Sequence, residues 1–327
     1  MARTLSVAIE RFPIAGSFVI SRGSRTEAVV VVATITENGV TGRGECVPYP
    51  RYGETVEGVV ALIEAQSDFI AKGLSRTALQ DLLPGGAARN ALDCALWDLE
   101  AKQAGTPVWQ LAGLPAPKPA ITCYTLSLGT PESMEEAAAR AAHRPLLKVK
   151  LGGEGDVARI EAVRRGAPNS TLVVDANEAW TAETIQANLA ACKAAGVKLI
   201  EQPLPAANDD LLASIKSEIP ICADESVHER HGLADVAKRY QAINVKLDKT
   251  GGLTEAVALV QDAKQLGLGL MIGCMVGTSL AMAPALLLAG EADFVDLDGP
   301  LLLATDRDPG LEFDGSEIRP AKSALWG

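Results

Sequence analysis

The sequence predicts an α/β fold in which a (β/α)7–8 barrel of the TIM type follows a smaller N-terminal α+β module. Two observations carry this prediction. From about residue 121 an apolar strand, a polar loop and an amphipathic helix repeat along the chain, whereas the first hundred residues lack this repeat. Eight strands separated by helix-length segments are typical of a parallel barrel. The chain of 327 residues is long enough for both parts.

The N-terminal module is predicted from a hairpin that is followed by helices. A β-branched strand covers residues 29–35, Glu37-Asn38-Gly39 forms the turn, and residues 42–46 form the returning strand. Helical periodicity then covers residues 55–71 and 86–104. Antiparallel strands followed by helices indicate an α+β module, which we place at residues 1–115.

The barrel is predicted over residues 116–300. Its eight strands are expected at residues 121–126, 146–151, 171–175, 198–201, 219–223, 242–247, 270–274 and 293–297. Residues 301–327 carry little helical pattern, so we expect this last segment to return to the first module.

Charge and cysteine content narrow the class of partner. A net charge of −11 repels nucleic-acid phosphates and anionic lipid, although a local cation can still attract an anionic small molecule into a cleft. The six cysteines are scattered without a CxxC pair, as is typical of thiols in a reducing compartment. The N-terminus has no apolar core of signal-peptide length, and the longest apolar stretch, at residues 280–289, is too short to span a membrane. We therefore expect a cytoplasmic protein without nucleic-acid or membrane partners.

Three carboxylates end three successive predicted strands. Asp175, Glu201 and Asp224 would converge on one point, because adjacent strands lie about 4.8 Å apart. Uncompensated carboxylates at that distance repel one another, and a hard divalent cation such as Mg²⁺ resolves the conflict. Asn177, two residues beyond Asp175, is either a turn residue or a water-mediated contact to the cation.

Lysines stand at strand ends on two sides of this carboxylate group. Lys148 and Lys150 are two residues apart and share one face, and Lys246 ends the sixth strand, across the barrel. Both strands are apolar, so an unpaired ammonium would be costly there and a snorkelling surface lysine is the weaker interpretation. Burial and a neighbouring cation lower the pKa of a lysine toward that of a useful base. We therefore expect lowered lysine pKa values.

The motifs around these residues resemble the enolase superfamily, in the subgroup of muconate-lactonizing enzymes. The matching stretches are KVKLGG (148–153), VVDANEAW (173–180), IEQPLP (200–205), CADES (222–226) and NVKLDKTGGLTEA (244–256). The resemblance covers essentially the whole chain. It implies that the first module and the C-terminal tail cap the barrel mouth, and that the members of the subgroup share one acid–base chemistry.

The resemblance also implies a role for each strand-end residue. One Mg²⁺ per subunit would be held by Asp175, Glu201 and Asp224. Lys150 and Lys246 would carry out a 1,1-proton transfer on opposite faces of the substrate, through a metal-stabilised enediolate. Lys148 is a candidate substrate-binding residue and Asp248 a candidate auxiliary residue.

Two further segments resemble those of dipeptide epimerases. In VDLDGP, Asp296 and Asp298 lie two residues apart, where the resemblance implies that they hold the free ammonium of a dipeptide; the alternative is an acidic loop. In FVISRGSRTEA, Arg25 matches an arginine that meets the side-chain carboxylate of a glutamyl residue, and the nearby Arg22 could substitute for it. GECVPYPRYGE (44–54) would place Tyr49 and Tyr52 near the substrate, or in packing contacts.

The expected activity is the Mg²⁺-dependent interconversion of L-Ala-D-Glu and L-Ala-L-Glu, as in the recycling of cell-wall peptides. Alternatives with the same chemistry are racemisation of N-acyl glutamate or another N-acyl amino acid, and epimerisation of other dipeptides. A non-catalytic metal-binding barrel is an alternative of another class. Sugar-acid dehydration is disfavoured, because His143, His228 and His231 are not placed as its base would be. A homo-oligomer is possible, but no sequence feature marks an interface.

Overall fold

A computed structural model describes residues 3–327 and begins with a three-stranded antiparallel sheet. Its strands are β1 (Thr4–Ile20), β2 (Gly23–Glu37) and β3 (Val40–Cys46), in the order β1-β2-β3. The predicted hairpin is confirmed, and its turn places Asn38 at φ 52° and Gly39 at φ 82°, the conformation that Asn-Gly favours. The long β1 was not predicted, because Pro13 and Gly16 interrupt its pattern and the pairing register shifts there.

Five helices complete this N-terminal module: α1 (Val56–Glu64), α2 (Ser67–Ala71), α3 (Arg76–Leu82), α4 (Ala87–Ala104) and α5 (Val108–Leu111). The predicted helix over 55–71 is therefore two helices, and α3 was missed. Helix α4 lies directly on β3. A Cβ at Gly42 or Gly44 would come within 2.2 or 2.1 Å of the carbonyl oxygens of Ala95 or Ala91, so this contact requires glycine.

The barrel strands match the eight predicted segments. They are β5 (Tyr124–Leu126), β6 (Leu146–Lys150), β7 (Thr171–Asp175), β8 (Leu199–Glu201), β9 (Ile221–Ala223), β10 (Ala242–Lys246), β11 (Gly269–Gly273) and β12 (Phe294–Asp296), after a short β4 (Ala120–Ile121) outside the barrel. Neighbouring strands pair in parallel and in chain order, and a parallel bridge between Thr122 and Val295 joins the first strand to the last. All strands therefore end at one barrel mouth.

α-Helices follow seven of the eight barrel strands along the chain. They are α6 (Pro131–Ala141), α7 (Asp156–Gly166), α8 (Ile185–Ala194), α9 (Leu233–Val236), α10 (Leu247–Thr250), α11 (Leu253–Gln265), α12 (Ser279–Leu286) and α13 (Gly299–Leu302). Between β8 and β9 two 3-10 helices, Ala206–Asn208 and Asp210–Ser214, take the place of an α-helix. The (β/α)7–8 prediction is thus confirmed. No helix among residues 3–327 combines the length and apolar character that crossing a membrane would require.

The C-terminal tail contacts both parts of the chain. Its hairpin, β13 (Phe313–Asp314) and β14 (Glu317–Ile318), pairs through β14 with β4 at the start of the barrel. The indole of Trp326 donates to the Cys94 carbonyl of α4 (3.0 Å), and the amide of Gly327 donates to the Asp98 carboxylate (2.7 Å). These contacts fasten the N-terminal module to the barrel, whereas the proposed boundaries at 115 and 300 stay predictions.

Candidate active site

A cavity of about 430 Å³ lies between the barrel mouth and the N-terminal module, which we hereafter call the cap. The β1–β2 and β3–α1 loops of the cap line this cavity. The predicted residues that line it are Arg25, Lys148, Lys150, Asn177, Asp224, Lys246, Asp296 and Asp298. Asp175 and Glu201 lie beneath this surface, fully buried. The structure thus gathers residues from seven separate segments around a cavity of the size that small ligands occupy.

Two of the lysines face one another across the barrel. Lys150 ends β6 and Lys246 ends β10, and three strands separate them on the side that runs through β8. In an eight-stranded barrel that spacing is diametrically opposite. Lys150 Nζ donates to Asp175 Oδ2 and Lys246 Nζ donates to Asp224 Oδ2, each at 2.6 Å. Each ammonium is therefore held by a different carboxylate of the predicted metal site.

Lys148 lies at the centre of the acidic residues. Its ammonium is 2.7 Å from both Asp296 Oδ2 and Glu201 Oε2, and 3.3 Å from Asp175 Oδ2. The side chain is only 2% exposed. A fixed protein cation therefore compensates three buried carboxylates.

The expected lowering of the lysine pKa values is wrong for Lys148 and Lys246. Burial lowers the pKa of Lys246, but the charges of Asp224 and Glu201 outweigh burial and raise that pKa well above its ordinary value. Burial is likewise outweighed for Lys148, whose pKa the charges of Asp296 and Glu201 raise. The sequence argument counted the neighbouring cations but not the close carboxylates.

The carboxylates respond unequally to their surroundings. Burial raises the pKa of Asp224, but Lys246 and Lys249 outweigh it, and the net pKa is well below the ordinary range. Burial and the charge of Asp175 raise the pKa of Glu201 instead. Glu201 is therefore the carboxylate of this group that the lysines compensate least.

The donor atoms at the site fit a hard cation. Five buried oxygen atoms around this cavity accept no hydrogen bond from residues 3–327, although one of them, Glu201 Oε2, forms an ion pair with Lys148: Asn177 Oδ1, Glu201 Oε2, Glu225 Oε2, Asn244 Oδ1 and Asp296 Oδ1. Oxygen donors of this kind suit Mg²⁺. Within the same described residues, no three His, Cys, Asp or Glu side chains form a ready-made metal cluster, and the ammonium groups of Lys148 and Lys246 lie among the carboxylates. The metal ligands stay a prediction.

Two residues that hold the site were missed in the sequence. Buried Lys249 donates to the carbonyl and to the Oδ1 of Asp224, both at 2.6 Å, and to the Asn244 carbonyl at 2.9 Å. Asn244 Nδ2 donates to Glu201 Oε1 at 2.7 Å. Strand periodicity could have identified Asn244, because it lies two residues before Lys246 on the same face of β10. Lys249 follows Lys246 within one helical turn, α10, which the sequence did not indicate.

The acidic pair after β12 is buried beside the lysine cluster. Asp298 Oδ2 accepts a hydrogen bond from the Thr125 amide at 2.6 Å, while Asp296 contacts Lys148. Burial and the charge of Asp296 raise the pKa of Asp298 to about 7. An additional cation placed here would lower that pKa again.

Two arginines of the cap line the cavity, and they differ in their ion pairs. Arg22 forms ion pairs with Glu225 (2.6 Å) and Glu178 (3.2 Å). Arg25 lies over the Tyr49 ring at 5.4 Å and has no ion pair among the residues that the structure describes. Arg25 is therefore the guanidinium available to a bound anion. Tyr49 and Tyr52 both line the cavity and also pack edge to face on each other.

Asp248 does not line the cavity that holds the lysines. Its Oδ1 accepts hydrogen bonds from the Val47 amide (3.0 Å) and from Asn90 Nδ2 (2.8 Å), both in the cap. It lines a neighbouring cavity between cap and barrel rather than the one that holds the lysines. Its contacts therefore fasten the cap, and no contact supports the predicted auxiliary role.

The fold and the site together define a capped barrel with acid–base residues at its mouth. Residues 132–299 match the family described as enolase C-terminal domain-like, and residues 2–113 match the mandelate racemase/muconate lactonizing enzyme N-terminal domain. The chain belongs to this mandelate racemase/muconate lactonizing enzyme family of the enolase superfamily, as its motifs predicted.

Similar proteins narrow the class to isomerases. The L-Ala-D/L-Glu epimerase of Escherichia coli (strain K12) is 48% identical over 318 residues, 97% of this chain and 99% of that protein. The N-acetyl-D-glutamate racemase of Pseudoalteromonas sp is 45% identical over 304 residues, 91% of this chain and 95% of that protein.

Solved structures show the same similarity. An enolase family member from Agrobacterium tumefaciens, with homology to dipeptide epimerases and with bound sodium and L-Ala-L-Glu, is 54% identical; the match covers 99% of this chain and 100% of that one, with a TM-score of 0.98. Other dipeptide epimerases of similar fold are complexed with Mg and a dipeptide.

Proposed function

We propose that this protein is a Mg²⁺-dependent dipeptide epimerase that interconverts L-Ala-D-Glu and L-Ala-L-Glu. The observation that carries the proposal is the opposed pair of lysines on one cavity, Lys150 on β6 and Lys246 on β10. Inversion at a carbon requires removal of a proton from one face and its return to the other. Two lysines on opposite walls meet that requirement when one is the neutral amine that takes the proton and the other is the ammonium that returns one.

The two ends of the substrate match the charges of the cavity. Asp296 and Asp298 would accept the free ammonium of the dipeptide, since a desolvated ammonium needs anionic acceptors. Arg25, which lacks an ion pair among residues 3–327, would bind the glutamyl side-chain carboxylate. These two contacts would hold the α-carbon between the lysines. The side chain of the substrate would then determine which dipeptides bind, and the lysines would determine which reaction takes place.

The metal would be held by Asp175, Glu201 and Asp224. When bound, Mg²⁺ supplies a Lewis acid that neutralises negative charge on the substrate carboxylate. Around it, Lys148 would contact the same carboxylate, while Asn244 and Lys249 hold Glu201 and Asp224 in place. Lys150 and Lys246 exchange the α-proton, one as base and the other as acid. The close carboxylates keep both residues oriented toward the cavity floor.

N-acyl glutamate racemisation is the second candidate, and the 45% identity to an N-acetyl-D-glutamate racemase favours it. An N-acyl substrate has no ammonium, so it would leave Asp298 without a cationic partner, whereas Asp296 already pairs with Lys148. The free-amino dipeptide is therefore the better match to this cavity. Epimerisation of other dipeptides would share the ammonium contact but would not use Arg25. We also propose a cytoplasmic location, which the six free thiols fit.

The test is α-deuterium uptake from D₂O in the presence of Mg²⁺, followed by NMR or mass spectrometry. L-Ala-L-Glu and L-Ala-D-Glu should both exchange and should converge on the same epimer mixture, and N-acetyl-L-glutamate should exchange far more slowly. Faster exchange of N-acetylglutamate than of either dipeptide would favour the racemase. No exchange with any of these compounds would overturn the proposed reaction.

A further inference from the structure

The turn after β7 joins the cap to the barrel through one acidic side chain. Glu178 binds Arg51 of the cap with two hydrogen bonds, Nε to Oε2 and Nη2 to Oε1, both at 2.8 Å. It also contacts Arg22 of the cap at 3.2 Å and accepts a hydrogen bond from the Ala206 amide, in the loop after β8, at 2.8 Å. Glu178 therefore connects two cap loops with the loops that follow two neighbouring barrel strands.

The backbone of this turn is held in an unfavourable conformation. Asn177 has φ 45° and Glu178 has φ 68°, the left-handed region that asparagine tolerates but that glutamate rarely adopts. Two such residues in succession persist only where surrounding contacts fix them. The contacts are the amide of Glu178, which donates to the Gln202 carbonyl at 2.9 Å, and the Asn177 carbonyl, which accepts from Ser21 Oγ and Arg22.

The same turn orients Asp175. The Asn177 amide donates to Asp175 Oδ1 at 2.9 Å, and Asn177 Nδ2 donates to Asp175 Oδ2 at 3.1 Å. The side-chain hydrogen bond depends on the left-handed conformation of Asn177, because φ at this residue sets the direction in which its Cβ points, whereas the amide hydrogen bond is set by the backbone of residues 175 and 176. A change in the turn therefore changes the position of a carboxylate that also receives the Lys150 ammonium.

We propose that Glu178 is a positioning residue that couples the seating of the cap loops to the orientation of Asp175. The inference rests on the proposed function for its role in the reaction, although the coupling itself is a property of the fold. When Arg22 and Arg51 engage Glu178, the strained turn is held and Asp175 is set for the cation and for Lys150. When the cap loops leave, the turn relaxes and Asp175 loses the hydrogen bond from Asn177 Nδ2.

An isolated surface ion pair would have no such effect, since exposed pairs contribute little to stability. Glu178 differs because its side chain is only 9% exposed and each of its oxygens has more than one partner. Glu183, a few residues further along, is exposed. Glu183→Gln therefore removes the same charge from the same stretch of chain and serves as the matched control.

Hydrogen exchange measured by mass spectrometry tests the coupling without substrate or metal. Glu178→Gln should raise exchange both in peptides that cover the cap loops (21–25 and 49–52) and in the peptide that covers 175–180, whereas Glu183→Gln should leave both unchanged. Increased exchange in the cap loops alone would show that Glu178 fastens the cap without positioning Asp175, and would overturn the inference.

Calorimetric titration with Mg²⁺ gives the second readout. Glu178→Gln should weaken Mg²⁺ binding about tenfold, the lower end of what outer contacts to metal ligands are worth, and Glu178→Asp should recover part of it. In assays kcat should fall with little change in KM. Unchanged Mg²⁺ affinity in Glu178→Gln would contradict the inference.

Arg51→Gln provides the same test from the cap side, if Glu178→Gln does not fold. The Arg51 side chain is 38% exposed, so its replacement leaves the barrel core intact. It should shift the same two sets of peptides by less, because Arg22 remains. If the wild type catalyses no exchange of any dipeptide, the proposed function fails, while the hydrogen-exchange comparison still decides the role of Glu178.

Discussion

The ammonium of Lys148 lies 2.7 Å from Glu201 Oε2, a buried carboxylate oxygen that accepts no hydrogen bond from the described residues. The ion pair compensates charge, but the angles at this oxygen are outside the range of a hydrogen bond. Glu201 also has a raised pKa, so its ionised form is the least stabilised of the three strand-end carboxylates. A cation that reaches this oxygen would therefore gain more from Glu201 than from Asp224, which two lysines already hold.

Replacing Glu201 with Gln should abolish the stabilisation that Mg²⁺ gives to the wild type. Gln keeps the acceptor for Asn244 Nδ2 but loses the charge that attracts the metal. A ligand at a hundred times its dissociation constant stabilises a protein by about 2.7 kcal/mol. Thermal unfolding with and without MgCl₂, with NaCl at matched ionic strength as the control, measures the difference. Equal stabilisation of Glu201→Gln and wild type by MgCl₂ would show that Glu201 is not a metal ligand.

Much of the barrel and of the site could be predicted from local pattern. Each barrel strand is a short apolar run, and parallel strands must end together at one mouth, so the positions of Lys150, Asp175 and Lys246 followed from strand ends alone. The geometry that opposes the lysines follows from counting strands.

What the sequence did not reveal depends on contacts between distant segments. The long β1 is recognisable only through its pairing with β2, because its own pattern is broken at Pro13. The raised pKa of Lys246 depends on the distance to Asp224, which no spacing along the chain supplies. The partners of Arg22 and Arg25 differ for the same reason, since the sequence places both in one loop but does not say which one finds a carboxylate.

Arg25→Met should raise KM for L-Ala-L-Glu by at least tenfold and leave kcat for the α-proton transfer nearly unchanged. The guanidinium would bind the substrate side chain away from the reacting carbon, so its loss removes binding common to ground and transition states. L-Ala-L-Ala has no side-chain carboxylate and should show little change, which makes it the internal control. An equal loss for both dipeptides would argue against the carboxylate contact.

Single replacements of the two lysines should show which face of the substrate each lysine serves. Lys150→Met and Lys246→Met should each lower kcat for epimerisation by about 10²–10⁴, the usual contribution of a general acid or base. The remaining lysine still reaches one face, so each variant should exchange the α-proton of one epimer only, and the two variants should retain opposite epimers. Lys193→Met, an exposed replacement on α8, is the control. Exchange of both epimers at the wild-type rate in either variant would contradict the two-base mechanism.

The pKa of Asp298 predicts a pH dependence of substrate capture. Because burial and Asp296 raise this pKa to about 7, the carboxyl group is largely protonated below pH 6 and ionised above pH 8. Only the ionised form attracts the dipeptide ammonium, so kcat/KM for L-Ala-L-Glu should rise with pH between 6 and 8. Asp298→Asn should have a lower kcat/KM and should lose this rise. Intact turnover of L-Ala-D-Glu by Asp298→Asn would remove the residue from the ammonium site.

The buried carboxyl of Asp248 should make the stability of the protein fall as pH rises. Burial raises the pKa of Asp248 from 3.8 to about 7. Between these values the folded state binds the proton more tightly than the unfolded state, so the free energy of unfolding decreases as pH increases through this window.

In Asp248→Asn the Oδ1 acceptor for the Val47 amide and Asn90 is kept, and the ionisable group is removed. The variant should therefore match the wild type near pH 4 and exceed it above pH 7 by about 2–4 kcal/mol, since one pKa unit corresponds to about 1.4 kcal/mol. Urea unfolding at pH 4, 6 and 8 measures the difference, and Asp81→Asn, at an exposed position on α3, corrects for the loss of one surface charge. A variant that is less stable than the wild type at pH 8 would show that the ionised carboxylate, and not its neutral form, fastens the cap to the barrel.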